Sequence, residues 1–421
     1  MLRVFFASWT LLLGMMLLMI GNGLQGTLLG IRGSIEGFET WQMSVVMSAY
    51  FAGFLLGSQL APGMISRVGH VRVFAGLGSM ISAVLVLYAA APDWIAWSAL
   101  RVVIGFCFAG VYVTAESWLN NAATNETRGQ TLSLYMIVQM VGIITAQGLL
   151  NLADPGGYNL FVIASVLVSL AFTPILLSVT PAPGFSSAKS MGIVKLFRIS
   201  PLGCVGIFLM GGIYSVLFGM VAVWGALVGL SVLEISTFVA AIYLGGLVFQ
   251  YPIGALSDRM DRRRLIIGVA GLCMLASLIG FVLTLPLVVL LALALIIGGT
   301  ANPLYSLLLA HTNDFLQSDD MAGASGGLLF LNGVGAVAGP LVLGWLMSAV
   351  GPSGFFLFVA VLSAMLVGYG FWRMSRRAAP EIADQGSYTP LTPGASVVTL
   401  DAAFEAAQPD EAGGGAHAAA R

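Results

Sequence analysis

Runs of eighteen or more apolar residues recur along most of this chain, and the core of a soluble protein has no place for so many of them. A helix rises ~1.5 Å per residue, so about 20 apolar residues cross ~30 Å of hydrocarbon. The mean hydropathy of +0.97, with only 8% of residues charged, fits no soluble chain of 421 residues. The pattern predicts an all-α polytopic membrane protein. Spanning strands would be about ten residues long with alternating polarity, and no such segments are found. Twelve spans are predicted: 6–31, 41–65, 71–91, 94–118, 130–152, 158–179, 203–229, 235–257, 264–284, 288–310, 322–348 and 354–372. The first begins like a signal peptide, with Arg3 ahead of an apolar run. It continues to residue 30 without a small-residue cleavage site, so it is read as a span.

The few charges are concentrated. GALSDRMDRRR, residues 254–264, sets Asp258, Arg259, Asp261, Arg262, Arg263 and Arg264 between two apolar runs. GMISRVGHVR, residues 63–72, is a fainter copy, with Arg67, His70 and Arg72 where Arg259, Arg262 and Arg264 stand later. Each hairpin follows the second span of a six-span half. The same side carries Arg128, Lys189, Lys195, Arg198, Arg373, Arg376 and Arg377, and the other side has Arg32 and little else that is basic. Short loops rich in Lys and Arg stay in the cytoplasm. Both termini are therefore expected there, at a bacterial inner membrane. A glycosylation sequon at Asn125 falls on that side, so no glycan is expected.

The halves correspond beyond the hairpins. Aligning Gly105 with Gly298 brings Tyr112 onto Tyr305 and Asn120 onto Asn313. Together these matches indicate an internal duplication. The expected fold is twelve transmembrane helices in two pseudo-symmetric six-helix bundles, over 1–179 and 203–377. A polar linker, 180–202, joins them. A tail over 378–421, rich in Ala, Gly and Pro, is expected to be disordered.

Gly254, Asp258, Arg259, Arg262, Arg263 and Arg264 resemble the cytoplasmic signature of the major facilitator superfamily. Asp261 replaces its usual glycine, and in the first copy Ser66 replaces the aspartate. RVVIGFCFAG, residues 101–110, is similar to the family's fourth-span pattern, and Arg128-Gly129 is also typical. AESWLN (115–120) and AHTND (310–314) resemble the YcaD-like branch. The resemblance covers about residues 1–375. It implies a secondary transporter whose spans one, four, seven and ten line a central cavity.

Several polar residues inside spans are candidates for that cavity: Asn22, Gln25, Arg101, Tyr112, Gln139, Asn302, Tyr305 and Asn332. Each could instead bond a neighbouring helix, at ~0.6 kcal/mol per bond. Arg101 lies ~12 Å into span four, where a charge costs at least ~2.5–3.5 kcal/mol on insertion scales. It either faces the cavity, binding an anionic or polar solute, or is tied to backbone carbonyls. Glu116, the lone acid well inside a span, has two readings. It is a latch to Arg67 and Arg72, or a group that carries a proton. His311 and Asp314 stand in the same relation to Asp258, Arg259 and Arg262, and these eight residues form the expected cytoplasmic gate.

Other chemistry is not signalled. Cys107, Cys204 and Cys273 lie in apolar runs without metal or disulfide spacing. There is no phosphate-binding loop and no catalytic cluster. The chain is expected to be no enzyme, to need no cofactor or metal, to bind no nucleic acid and to act as a monomer. Its expected partners are the lipid bilayer, a small-molecule substrate and, on the proton-carrying reading, protons. Efflux of a small organic solute and uptake of an anionic metabolite both stay open. So does a non-transporting sensor or assembly factor on the same scaffold.

Overall fold

The computed structural model describes residues 2–124, 127–176, 191–376 and 385–407; Asn125, Lys189 and Arg377 lie outside them. Every regular element in the described residues is helical. The long helices are α1 (Leu2–Ile35), α2 (Thr40–Val68), α3 (His70–Ala90), α4 (Trp94–Ala122), α5 (Arg128–Leu149) and α6 (Asn159–Leu176). After the short α7 (Ile193–Ile199) come α8 (Pro201–Gly219), α9 (Val221–Leu227), α10 (Val232–Ser257), α11 (Arg262–Val282), α12 (Leu287–Asn313), α13 (Ser318–Val350) and α14 (Gly354–Met374). The last element is α15 (Val397–Ala406). Among the described residues 11 helices are long and apolar enough to cross a membrane, and a shorter apolar helix covers Asn159–Pro174.

Local chemistry sets the helix ends. Asp93 caps α4 by accepting the N–H groups of Ile95 and Ala96 at 3.0 and 2.9 Å. Ser231 and Glu234 form a reciprocal capping box at the start of α10. Gly69 separates α2 from α3 with φ +86°, a conformation that a β-carbon would disfavour. The predicted span 203–229 is interrupted at Met220, just after Gly219, into α8 and α9. Glycine is a weak helix former, and the apolar run gave no sign of the break.

The helices pair in a repeated pattern. α1 packs on α5 and α6, α2 on α4, and α3 on α4 and α6. In the same way α8 packs on α13 and α14, α10 on α12, and α11 on α12 and α14. Contacts of α2 with α13, α5 with α10 and α1 with α9 join the two sets. The end carrying 67–72 and 258–264 is called the basic end below. At the opposite end the sets meet directly. The Ser48 hydroxyl donates to the Val337 carbonyl at 2.6 Å, and the Asn151 amide donates to Ser236 at 3.0 Å.

At the basic end the chain itself lies between the sets. Residues 385–396 run as a strip without helix or strand, with a turn at Pro393 and Gly394, and α15 packs on α4, α5 and α13. The expectation of a disordered tail therefore does not hold over 385–407. Leu391, Ala395, Leu400 and Phe404 are buried. Composition misled because the partners of this segment are side chains far away in sequence. The helix α7 likewise lies in a stretch read only as a linker.

Candidate functional site

A polar relay crosses the middle of the first helix set. Arg101 of α4 is fully buried. Its guanidinium donates to the side-chain carbonyl of Gln25 at 3.1 Å and lies over the Tyr50 ring, 5.1 Å from the centroid. The Gln25 amide donates to the Asn22 carbonyl at 3.0 Å. The Asn22 amide donates to the Tyr112 hydroxyl at 2.9 Å. The relay compensates a charge that would be costly in an apolar interior. The donors run in one order, from Arg101 through Gln25 and Asn22 to Tyr112.

There the relay meets a cleft between the helix sets. Asn22, Tyr50, Phe51, Phe54, Ser58 and Tyr112 face it from one side. Tyr214, Phe218 and Asn332 face it from the other, and Pro393 and Gly394 of the tail occupy its end. Tyr214 and Phe218 are stacked, with centroids 6.0 Å apart. Gln139 and Asn302 line an adjoining recess with Thr392. The walls are thus mostly aromatic and carry a few amides and hydroxyls, as sites for small organic ligands do.

The tail strip is bonded by these side chains. Asn332 donates to the carbonyl of Pro393 at 2.9 Å, and the Thr392 hydroxyl donates to Gln139 at 3.2 Å. The Ser306 hydroxyl donates to the Leu391 carbonyl at 3.0 Å and accepts its N–H at 2.9 Å. Glu116 accepts the Tyr135 hydroxyl and the backbone N–H of Ser396, both at 2.9 Å. Gln250 donates to the hydroxyls of Ser306 at 3.1 Å and Tyr388 at 2.8 Å.

The basic end holds a second cluster. Arg262 and Asp314 form a buried ion pair at 2.5 Å. Arg262 also donates to Ser257 at 3.0 Å and to the Gly386 carbonyl, and lies 3.4 Å from Asp258. Asp314 accepts the Gly386 N–H at 3.2 Å, and Asp258 accepts the Tyr388 N–H at 2.9 Å. Burial pushes the Asp314 carboxyl above its ordinary pKa, although Arg262 pulls it down.

The sequence candidates thus fall into three places. Asn22, Tyr112, Gln139, Asn302 and Asn332 face the cleft or its recess. Gln25 and Arg101 stand behind Asn22. Tyr305 is buried in α12, its hydroxyl without a hydrogen-bond partner among the described residues. Of the gate candidates, Asp258, Arg262 and Asp314 come together. Arg67, Arg72 and Arg259 are exposed and form no ion pair among the described residues. Glu116 bonds Tyr135 and the tail instead of Arg67 or Arg72. His311 packs against Phe315 beside Arg263 and Arg373. Sequence reasoning missed Tyr50, Phe54 and Phe218, because aromatics in spans look like packing. It also missed Ser306 and Gln250, although a lone glutamine inside a span was a usable signal.

Comparison with known proteins agrees with this geometry. The model of the Major Facilitator Superfamily matches residues 203–405, and that of the sugar (and other) transporter family matches 21–189. The uncharacterized MFS-type transporter YcaD of Escherichia fergusonii is 26% identical over 366 residues, covering 84% of this chain and 92% of the relative. YcaD of an Escherichia coli O6 strain is 28% identical, with coverage of 84% and 92%. Among solved structures, the nucleoside transporter NupG superposes with a TM-score of 0.72 at 17% identity, over 88% of this chain and 98% of NupG. The E. coli fucose:proton symporter FucP gives 0.58 at 16% identity, over 88% and 99%. The family models and curated relatives support a multi-pass helical membrane transporter, not an enzyme. These matches support a transporter of the major facilitator superfamily, in its YcaD-like branch.

Proposed function

We propose that the chain is a secondary transporter of the bacterial inner membrane, with both termini in the cytoplasm. Two six-helix bundles, formed from twelve crossings, alternate access to the central cleft. The substrate is a small, uncharged organic solute with a flat apolar body and hydrogen-bonding edges. The observation that carries this reading is the cleft lining: Tyr50, Phe54, Tyr112, Tyr214 and Phe218 offer ring faces, and Asn22 and Asn332 offer amides. An anionic substrate is less well served, because Arg101 is held behind Gln25. NupG, by its name a carrier of nucleosides, moves molecules of this general description.

Efflux is the direction this reading takes, because the cleft lining mixes aromatic rings with a few amides and hydroxyls. Glu116 is the group through which a proton would be coupled. The test is a thermal-stabilisation screen of the purified protein with nucleosides, sugars, planar aromatic amides and carboxylates. A ligand at a hundredfold excess over its Kd adds about 2.7 kcal/mol. Stabilisation by uncharged ring compounds, lost in Asn22→Ala, is expected. Stabilisation by carboxylates alone would instead favour the anionic reading. Transport by Glu116→Gln that still follows an imposed pH gradient would remove Glu116 from coupling.

A further inference from the structure

The strip 385–396 is bound as a peptide ligand is bound. It has no regular secondary structure of its own, so its backbone groups need partners elsewhere. Side chains of the cleft, of the helices around it and of the basic-end cluster supply them. The N–H groups of Gly386, Tyr388, Leu391 and Ser396 go to Asp314, Asp258, Ser306 and Glu116. The carbonyls of Leu391 and Pro393 accept from Ser306 and Asn332. Leu391 is 3% exposed and Ala395 1%. Pro390 and Pro393 restrict the free strip, so less freedom is lost on docking.

We propose that residues 385–407 are a tethered plug that closes the substrate cleft from the basic end. This rests on the reading of the cleft as the transport site. The strip closes one end of the cleft that a solute would enter: Pro393 and Gly394 line the same cavity as Asn22 and Tyr112. It also bonds both helix sets, through Glu116 and Gln139 of α4 and α5 and through Gln250, Ser306 and Asn332 of α10, α12 and α13. Those helices would have to converge at the basic end for the carrier to switch, and the strip lies between them. The plug therefore both excludes substrate and holds the protein in one state. Tethering by a short linker gives an effective concentration in the millimolar range, so even a weakly binding strip stays docked. A solute, a partner protein or a modification of the tail that displaces it would start transport.

The test needs no substrate. In a background lacking Cys107, Cys204 and Cys273, Ser58→Cys places a thiol in the cleft wall. Its reaction with a water-soluble maleimide is followed in the full chain in nanodiscs. Slow reaction is expected, against fast reaction of Val71→Cys on the exposed hairpin. Leu391→Asp should speed the cleft thiol about tenfold. Ser396→Pro removes the backbone donor to the Glu116 carboxylate, a bond worth roughly a factor of ten or more, together with the hydroxyl that caps α15, and should act alike. Ser396→Ala keeps that N–H and should have less effect. Equal rates with and without Leu391→Asp and Ser396→Pro would overturn the plug. If the rates change but no compound of any class binds the unplugged protein, the plug stands and the transport-site reading falls.

Discussion

Gln25 stands between Arg101 and the cleft, taking a hydrogen bond from the guanidinium at 3.1 Å and passing one to Asn22 at 3.0 Å. The arginine charge is thus solvated by protein, and its effect on the cleft is indirect, through the orientation of Asn22 and Tyr112. Removing one partner of such a buried pairing leaves a charge without compensation, which costs about 3–5 kcal/mol in buried ion pairs. A neutral glutamine partner sets the expected loss for Gln25→Leu near the lower end. Arg101→Met with Gln25→Leu should recover a large part of it, since no charge is then stranded. Thermal unfolding of the four proteins in one detergent checks this, and strict additivity of the two losses would refute it.

At the basic end the two aspartates differ in burial, and their variants should differ in effect. Asp314 is 2% exposed and pairs with an arginine that is 1% exposed; Asp258 is 47% exposed. Asp314→Asn should therefore cost several times more stability than Asp258→Asn, since pairs near solvent contribute only about 0–1 kcal/mol. Both should loosen the tail, because each aspartate accepts one of its N–H groups. Melting temperatures rank the first effect, and maleimide labelling of Gly394→Cys reports the second.

Docking of the tail should weaken as pH rises. Asp401 of α15 is pushed up to about 7 by burial and by Glu405, with Ser325 of α13 opposing. One of its carboxyl oxygens has no hydrogen-bond partner among the described residues. In the undocked tail it returns toward the ordinary 3.8. Its docked pKa is the higher one, so docking takes up a proton. The favourable contribution is complete below pH ~4, is lost as pH rises through ~7, and is flat above. Glu405, paired with Arg128 at 2.7 Å, is the other charged group of α15. Labelling of Ser58→Cys, taken as a ratio to Val71→Cys at each pH so that the ionisation of the thiol itself cancels, should accelerate between pH 5 and 7, and Asp401→Asn should remove most of that slope. An unchanged slope in Asp401→Asn would exclude this carboxyl as its source.

Much of the membrane architecture was readable in the residues, and the reasons are physical. Length and apolarity alone mark a span, and lipid tolerates little else but helix, so the helix positions followed directly. Asn22, Tyr112 and Asn332 were visible because an amide or hydroxyl inside a span is conspicuous. The tail was not. Leu391 and Ser396 sit in a stretch whose composition cannot form a core, and they are ordered by Ser306 and Glu116, which lie far off in the chain. The pairing of Asp314 with Arg262 was suggested by proximity in the expected topology. The exposure of Arg67 and Arg72 depends on how the helix ends pack around them, and no local pattern encodes that.

The correspondence of Gly105 with Gly298 leads to a last prediction. Each faces the backbone of a neighbouring helix at the same register. A β-carbon on Gly105 would lie 2.0 Å from the Tyr50 carbonyl oxygen, and one on Gly298 would lie 1.9 Å from that of Ile242. No side-chain rotation can relieve a clash with main chain, so α2 must part from α4, or α10 from α12. Overpacking of this kind costs roughly 1–3 kcal/mol. Gly63→Ala is the control, since no atom lies within 4 Å of its added carbon. If the duplicated pairs are mechanically equivalent, Gly105→Ala and Gly298→Ala should lower the melting temperature by similar amounts, and Gly63→Ala should leave it nearly unchanged. A large loss at one glycine and none at the other would mean that only one of the two helix pairs depends on this close approach.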